Sequence, residues 1–401
     1  MRTLLIGKTW PEPGSSAGGA RTLELLRTFR EAGWPTTFAT ANQKSPHAAD
    51  LEALGIDCHG TAVNDAVFDA WVRGLDPDLV VFDRYMTEEQ FGWRVEQNCP
   101  EAMRVLDTTD LHSLREARRR QLKEGKELDL LNDIALREVA AIFRSDLSLV
   151  ISEYEIGLLK DVFQVPVSQL AYLPLMLPES DEASPGFDAR AHFVMIGNYL
   201  HEPNWDAVQW CCREIWPLIR AELPAAQLHI FGAYEPAKAR QLHNEARGIF
   251  IRGRTDDAIG TLGRYRLNLA PLRFGAGQKG KVADGFLSGT PTISTPIAAE
   301  SMNGPIEWGC PLVAEARGFA QTAVAVHDNA EAWNRVRRQG FAIARQRLSA
   351  KEWKPKLVER LKSLVETGSG GRHQHFIGRL LRHHQHRSTE FMSRWIAAKN
   401  K

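Results

Sequence analysis

Lys279 and Lys281 stand just behind Gly275 and Gly277, in the stretch LNLAPLRFGAGQKGKVADGFLSGTPTISTPIAAE that runs from Leu267 to Glu300. Ammonium groups beside glycine backbone suit the holding of an anion. Where a glycine loop opens a helix, unpaired N–H groups and the positive end of the helix dipole face one point, and two lysines add full charges. Phosphate is the natural occupant, although the spacing matches neither the Walker nor the Rossmann glycine pattern. The plain alternative is a glycine turn with two solvated lysines. A second glycine loop, SSAGGAR, precedes another helix and adds Ser16, Gly18 and Gly19 as candidates. Two further groups of polar residues follow apolar runs: Asp83, Arg84 and Tyr85, and the run DTTDLH with Asp107, Asp110 and His112. A carboxylate and an imidazole in one loop can orient hydroxyls or move a proton near neutral pH; alternatively, Asp110 only caps the helix that follows.

The elements that must position these residues alternate. Buried strands are predicted at Thr3 to Gly7, Thr36 to Thr40, Asp78 to Asp83, Met103 to Asp107, Leu147 to Ser152 and Val167 to Leu173, with helical segments between them. The run PESDEASPGFDAR reads as a linker, after which the rhythm restarts with strands at Phe193 to Gly197, Leu228 to Gly232, Ile249 to Gly253, Leu267 to Leu272 and Thr290 to Thr295. Gly289 is placed to stop the helix after the lysine loop, and a helix is expected from Thr255. This predicts parallel sheets covered on both faces, with ligands outside the carboxyl ends of the strands. Trp205, Trp210 and Trp216 read as core or domain-interface residues rather than sugar platforms. A single helix is expected from Leu111 to about Phe143. Its arginines are interleaved with Glu116, Glu124 and Glu127, as on a solvated face, and also allow peripheral membrane contact. Beyond about Val365, GSGG releases a last helix, roughly His373 to Lys399, whose three close histidines have poor metal spacing.

At 401 residues two domains are expected. Fifty basic against forty-nine acidic residues leave no global field to recruit nucleic acid. Five cysteines without a paired spacing suggest neither a disulfide framework nor a zinc site, and a reducing, cytoplasmic setting fits, as does the lack of a signal-like N-terminus.

The segment PLRFGAGQKGKVADGFLSGTPTISTPIAAE resembles the donor site of the family-four retaining glycosyltransferases of the GT-B fold, and HFVMIGNYLHEPNW resembles the start of their second domain. The resemblance implies two Rossmann-like parallel-sheet domains facing a central cleft: an acceptor-side domain over 1–177, a linker over 178–191, a nucleotide-sugar domain over 192–367, and a terminal helix over 368–401 crossing back onto the first domain. It implies transfer of a sugar from a nucleoside diphosphate donor to a hydroxyl of an unidentified glycan, lipid-linked, protein or small-molecule acceptor, with retention. Cations would replace a metal, and no cofactor would be needed. Gly197, Asn198, Arg273, Phe274, Gly275, Ala276, Gly277, Lys279 and Lys281 would meet the donor, with the first loop (Ser16, Gly18, Gly19) opposite them. Asp284 would grip the ribose, Glu300 would approach donor or acceptor hydroxyls, and His112 stands near the family's sugar-facing histidine. Ala276 replaces the first of the family's two glutamates, and Asp284 replaces the second. A protein that binds a nucleotide sugar without turnover, and an epimerase of the same fold, are the alternatives.

Overall fold

In the computed structural model, which describes residues 1–180 and 183–399, the chain forms two parallel sheets. The first comprises β1 (Thr3–Gly7), β2 (Thr36–Thr40), β3 (Asp57–Gly60), β4 (Leu79–Asp83), β5 (Met103–Asp107), β6 (Leu147–Val150) and β7 (Leu170–Tyr172), in the order β3-β2-β1-β4-β5-β6-β7. The second comprises β8 (Ala191–Ile196), β9 (Leu228–Phe231), β10 (Ile249–Gly253), β11 (Tyr265–Ala270) and β12 (Thr292–Ser294), in the order β10-β9-β8-β11-β12. In both, the strand that opens the unit lies inside its sheet. Thr3 pairs with Thr36 on one side and with Leu79 on the other.

Apolar residues alternate between the two faces of the first sheet, because a strand covered on both sides must bury every position. Leu4, Ile6, Val80 and Phe82 pack on one face with Phe91 and Leu114. Leu5, Leu79 and Val81 pack on the other with Phe29 and Leu147. β3 is the exception. Its sequence DCHG is polar and part-exposed, which suits an edge strand and explains why no apolar run announces it. The second core gathers Phe193, Trp216, Phe319 and Trp333. Trp216 donates to the Arg247 carbonyl (2.8 Å) and Trp333 to the Arg266 carbonyl (2.7 Å), so both indoles are satisfied while buried. Trp210 is buried too, whereas Trp205 is only partly so.

Three expected elements differ. The helix over 111–143 is two helices, His112–Glu124 and Asp133–Arg144, because Gly125 takes a left-handed conformation after the first. The helix expected from Thr255 is the short Ala258–Leu262, capped by Asp257. The return to the first domain also starts earlier than 368. The helix Ala350–Thr367 already inserts Leu357 and Leu361 into the core of the first sheet, below Phe29 and Leu147. The linker is anchored at its far end by Arg190, fully buried and donating to Thr290 Oγ1 (2.6 Å) and the Ser288 carbonyl (2.9 Å). Residues 181–182 of the linker and 400–401 of the terminal segment lie outside the described residues. Because Leu361 is fully buried in a core otherwise built from the first domain, Leu361→Ala is expected to lower unfolding free energy by ~2–5 kcal/mol. Urea denaturation checks it; a loss below ~0.5 kcal/mol would mean that the returning helix merely rests on the surface.

Candidate functional site

Strand order reverses between β1 and β4 in the first sheet and between β8 and β11 in the second. Loops leaving the two sides of such a reversal part from each other and open a crevice at the carboxyl ends of the strands. Here the two crevices share one space. A Cβ placed on Gly280 would lie 2.7 Å from the Ala17 Cβ, so the helix Gly280–Leu287 begins against the start of the helix Ala17–Glu31. Two positive helix ends therefore meet across the domain boundary. Neither helix carries an acidic residue in its first turn. The contrast is the helix His112–Glu124, whose start is neutralised by the buried Glu138, accepting from His112 N (2.9 Å), Ser113 N (3.0 Å) and Ser113 Oγ (2.7 Å).

Cationic side chains crowd the same place. Lys281 reaches Asn204 Oδ1 and lies against Gly197 at the end of β8. Burial, with Lys279 nearby, pulls its ammonium down to about 7. Lys279 occupies the N-cap position without a side-chain cap and folds back onto the Gly277 carbonyl; burial lowers its pKa as well, although Glu300 works the other way. From the first domain, the Arg84 guanidinium abuts Gly18 at the start of the helix Ala17–Glu31. Lys8 is lowered by burial and by Arg84. Asp284 is raised to about 7 by burial, which Lys281 only partly offsets. Such depressed lysines and a raised carboxyl mark a place short of water.

Residues of the first domain hold the glycine loop in place. Glu155, which is 0% exposed, accepts from Gly277 N (2.8 Å) and from Leu111 N (3.0 Å), so one carboxyl ties the two domains. Its other oxygen, Oε2, is buried without a partner, and burial raises its pKa. Arg118 donates to the Gly275 carbonyl (2.8 Å) and grips Glu300 through two bonds (2.9 and 2.7 Å). Gln278 accepts from Leu175 N (2.8 Å) and donates to the Ser301 carbonyl (2.7 Å). Gly277 itself needs its lack of a side chain twice over: φ is +65°, and a Cβ would strike Asp110 Cβ at 2.8 Å.

The structure corrects several expectations. Asp107 is no reacting group: it is sealed in the core against Arg21 (2.8 to 3.0 Å), which also holds the Leu173 carbonyl. Burial raises its carboxyl more than Arg21 lowers it. Glu300 is committed to Arg118 rather than free to meet a sugar, and Arg273 is committed to Asp206 (2.7 and 2.9 Å), which Lys123 also holds. Ser16 is a helix cap, its hydroxyl accepting from Gly19 N (3.0 Å), and Gly19 packs against the Glu12 backbone. The Gly277 amide is not bare, since it serves Glu155. Phe274 is a core side chain, and Ala276 packs into the core of the first domain. Asn198 shapes its own turn, accepting from Leu200 N (2.8 Å). Brought together are Gly18, Gly197, Gly275, Gly277, Lys279, Lys281 and Asp284, with Asp110 and His112 beside them. Asp110, despite burial, is held well below the usual carboxylate range by Arg115 and by His112, whose Nε2 lies 3.4 Å away. His201 approaches Arg115, Asp110 and Lys281 from the second domain.

Glu155 was invisible because Ser152 to Glu155 reads as a capping box. Ser152 does cap Glu155 N (3.3 Å), but the carboxyl turns away to the other domain. Arg118 was hidden among interleaved charges. A cavity of about 10 Å³ at the ends of β8 and β11, lined by Gly197, Tyr199, Asn204, Pro271, Leu272 and Lys281, lies wholly within the second domain.

Residues 190–329 match the model of the family described as Glycosyl transferases group 1. No curated protein sequence matches the chain. The fold is the GT-B fold. Sucrose-phosphate synthase from Thermosynechococcus elongatus superposes with a TM-score of 0.68 at 14% identity, over 92% of this chain and 100% of that one. TarM of S. aureus, in a complex that includes UDP, gives 0.70 at 8% identity over 91% and 100%. Anabaena HepE in complex with UDP-glucose gives 0.68 at 12% over 90% and 100%.

The depressed Lys281 makes anion binding pH-linked. An anion beside it raises its pKa above the free value of about 7, so its contribution is complete below pH 7 and fades as pH rises through the bound-state pKa. Calorimetry with inorganic pyrophosphate at pH 8, in two buffers of different ionisation heat, is expected to show more protons taken up by the wild type than by Lys281→Met. Identical proton counts would contradict this.

Proposed function

We propose that the protein is a glycosyltransferase that moves a sugar from a nucleoside diphosphate sugar to an acceptor hydroxyl. The observation that carries this reading is the meeting of two helix starts, one from each domain, under Lys279, Lys281 and Arg84. Apposed positive ends repel unless an anion lies between them, and a diphosphate has the size and charge to do so. Complexes of HepE and TarM with UDP support uridine diphosphate as the first carrier to try.

Transfer breaks the bond from the sugar C1 to the diphosphate oxygen and makes one to the acceptor oxygen, while the acceptor proton passes to the leaving phosphate. Negative charge grows on the diphosphate as that bond stretches. Groups already aimed at it therefore lower the barrier without reorganising. Lys279 and Lys281 supply full charges, the helix starts supply dipoles, and Asp284 is placed to accept from the ribose. Asp110, fixed by Arg115 and His112 and touching Gly277, would orient sugar hydroxyls. With Ala276 where the family carries a glutamate, no side chain there can act as a nucleophile. Retention by same-face attack, assisted by the leaving phosphate, fits that composition. The cations meet the diphosphate charge directly, so activity should survive a chelator.

A second reading, binding without turnover, is favoured by one feature: Ala276 packs into the first domain's core, so that position is apolar and closed. Release of UDP from UDP-glucose and UDP-N-acetylglucosamine separates the two. The transferase reading expects UDP release that persists in EDTA and falls about 10²-fold or more in Lys279→Ala. Donor-induced thermal stabilisation with no release from any of a panel of uridine, guanosine and adenosine diphosphate sugars, with or without sugar acceptors, would instead assign a sensor.

A further inference from the structure

The C-terminal helical segment is inside out. It runs as the helix Phe376–Leu381, a wider π-turn Arg382–His386 and the helix Arg387–Lys399, roughly 36 Å at ~1.5 Å per residue. A helix on a water-soluble surface ordinarily buries its apolar stripe and wets its polar one. This one buries Gly378, Arg382, His386 and Ser393. Gly378 lies so close to the Phe143 carbonyl that a Cβ would meet it at 2.3 Å. Arg382 donates to the Arg144 carbonyl (3.1 Å) and pairs with Glu96 (3.2 Å). His386 sits between Glu96 (2.6 Å) and Glu88 (3.3 Å), and Ser393 accepts from Arg94 (3.1 Å). The docked face is thus a polar one, satisfied by the helices Tyr85–Asn98 and Asp133–Arg144.

The apolar side chains point the other way. Phe376, Ile377, Leu380, Phe391, Met392 and Trp395 are between 42% and 67% exposed, a density of large apolar groups unusual for a solvated surface. Phe391 and Trp395 are four residues apart and share one face. Cations flank them: Arg379, Arg387, Arg394 and Lys399 are exposed, and the Lys399 ammonium lies 5.1 Å from the Trp395 ring centroid. Residues 376–399 hold five Lys and Arg against one acid, Glu390, which is spent on Arg394 and Gln97, in a chain whose net charge is only +1. Among the described residues no helix is long and apolar enough to cross a membrane.

We propose that this face lies in the plane of an anionic lipid surface, with its aromatic and aliphatic groups below the headgroups and its arginines among the phosphates. Charge complementarity selects that partner. The core of a protein interface is depleted of charge, whereas here exposed Arg379, Arg387 and Lys399 are interspersed with the apolar groups along the helical segment, the arrangement that an interfacial helix uses. The basic helix that the sequence offered for such contact does not compete, because its Arg119 and Arg120 are paired with Glu116 and Glu124.

Sedimentation with vesicles tests this directly. At ~0.1 M salt the full chain is expected to bind phosphatidylcholine vesicles containing phosphatidylglycerol at least about tenfold more tightly than pure phosphatidylcholine ones. Phe391→Glu/Trp395→Glu should cut that binding by at least about tenfold, and Arg379→Glu/Arg387→Glu should do likewise, with melting temperatures unchanged because all four side chains are exposed. Absence of binding, indifference to lipid charge, or retention of binding by both variants would overturn the proposal. So would a wild-type dimer that Phe391→Glu/Trp395→Glu converts to a monomer, since the face would then belong to a second copy.

Discussion

Two helices from different domains begin nose to nose, Gly280 against Ala17, and the cationic groups of Lys279, Lys281 and Arg84 are brought to the same spot. Dipole ends of like sign repel, and so do the ammonium groups; burial first, and Lys279 after it, lower Lys281 to about 7. The rest of the molecule can be understood as the scaffold that keeps this unfavourable meeting in place. Each sheet reverses its strand order beside the loop it contributes, so the two crevices fall opposite each other. Glycines stand where the backbones come closest, because a methyl group at Gly277 or Gly280 would collide with the facing domain.

A set of contacts that cross the boundary counters the repulsion. Glu155 bonds the Gly277 amide, Arg118 bonds the Gly275 carbonyl and clamps Glu300, and Ser152 meets Ser301 at 2.8 Å. All of these bind the loop by its backbone or by residues next to it. Burial raises the Glu155 pKa, so in the seam the carboxyl leans toward its neutral form.

The sequence disclosed the sheet strands well, since positions buried on both faces leave uninterrupted apolar runs, and it missed β3, whose edge position permits DCHG. The lysine and glycine loop was legible as a unit, since its glycines precede a helix start, and the structure sets that start against the other domain. Single charged residues were not. Asp107, Glu300 and Arg273 each occupy a loop or strand end where ligands are met, but Arg21, Arg118 and Asp206 reach them first. A charge that faces a ligand and a charge that faces an internal partner are spelled alike. Glu155 shows the converse, a functional contact written as a capping box, and the outward apolar face of the last helix was obscured because periodicity tells which residues share a face without telling which way it points.

The most direct measurement of the central claim is a crystal structure of the protein with uridine diphosphate. The two phosphates are expected between the starts of the helices Ala17–Glu31 and Gly280–Leu287, within hydrogen-bonding distance of the ammonium groups of Lys279 and Lys281. Density for the nucleotide anywhere else, with those two lysines unchanged and Gly280 still pressed on Ala17, would contradict it.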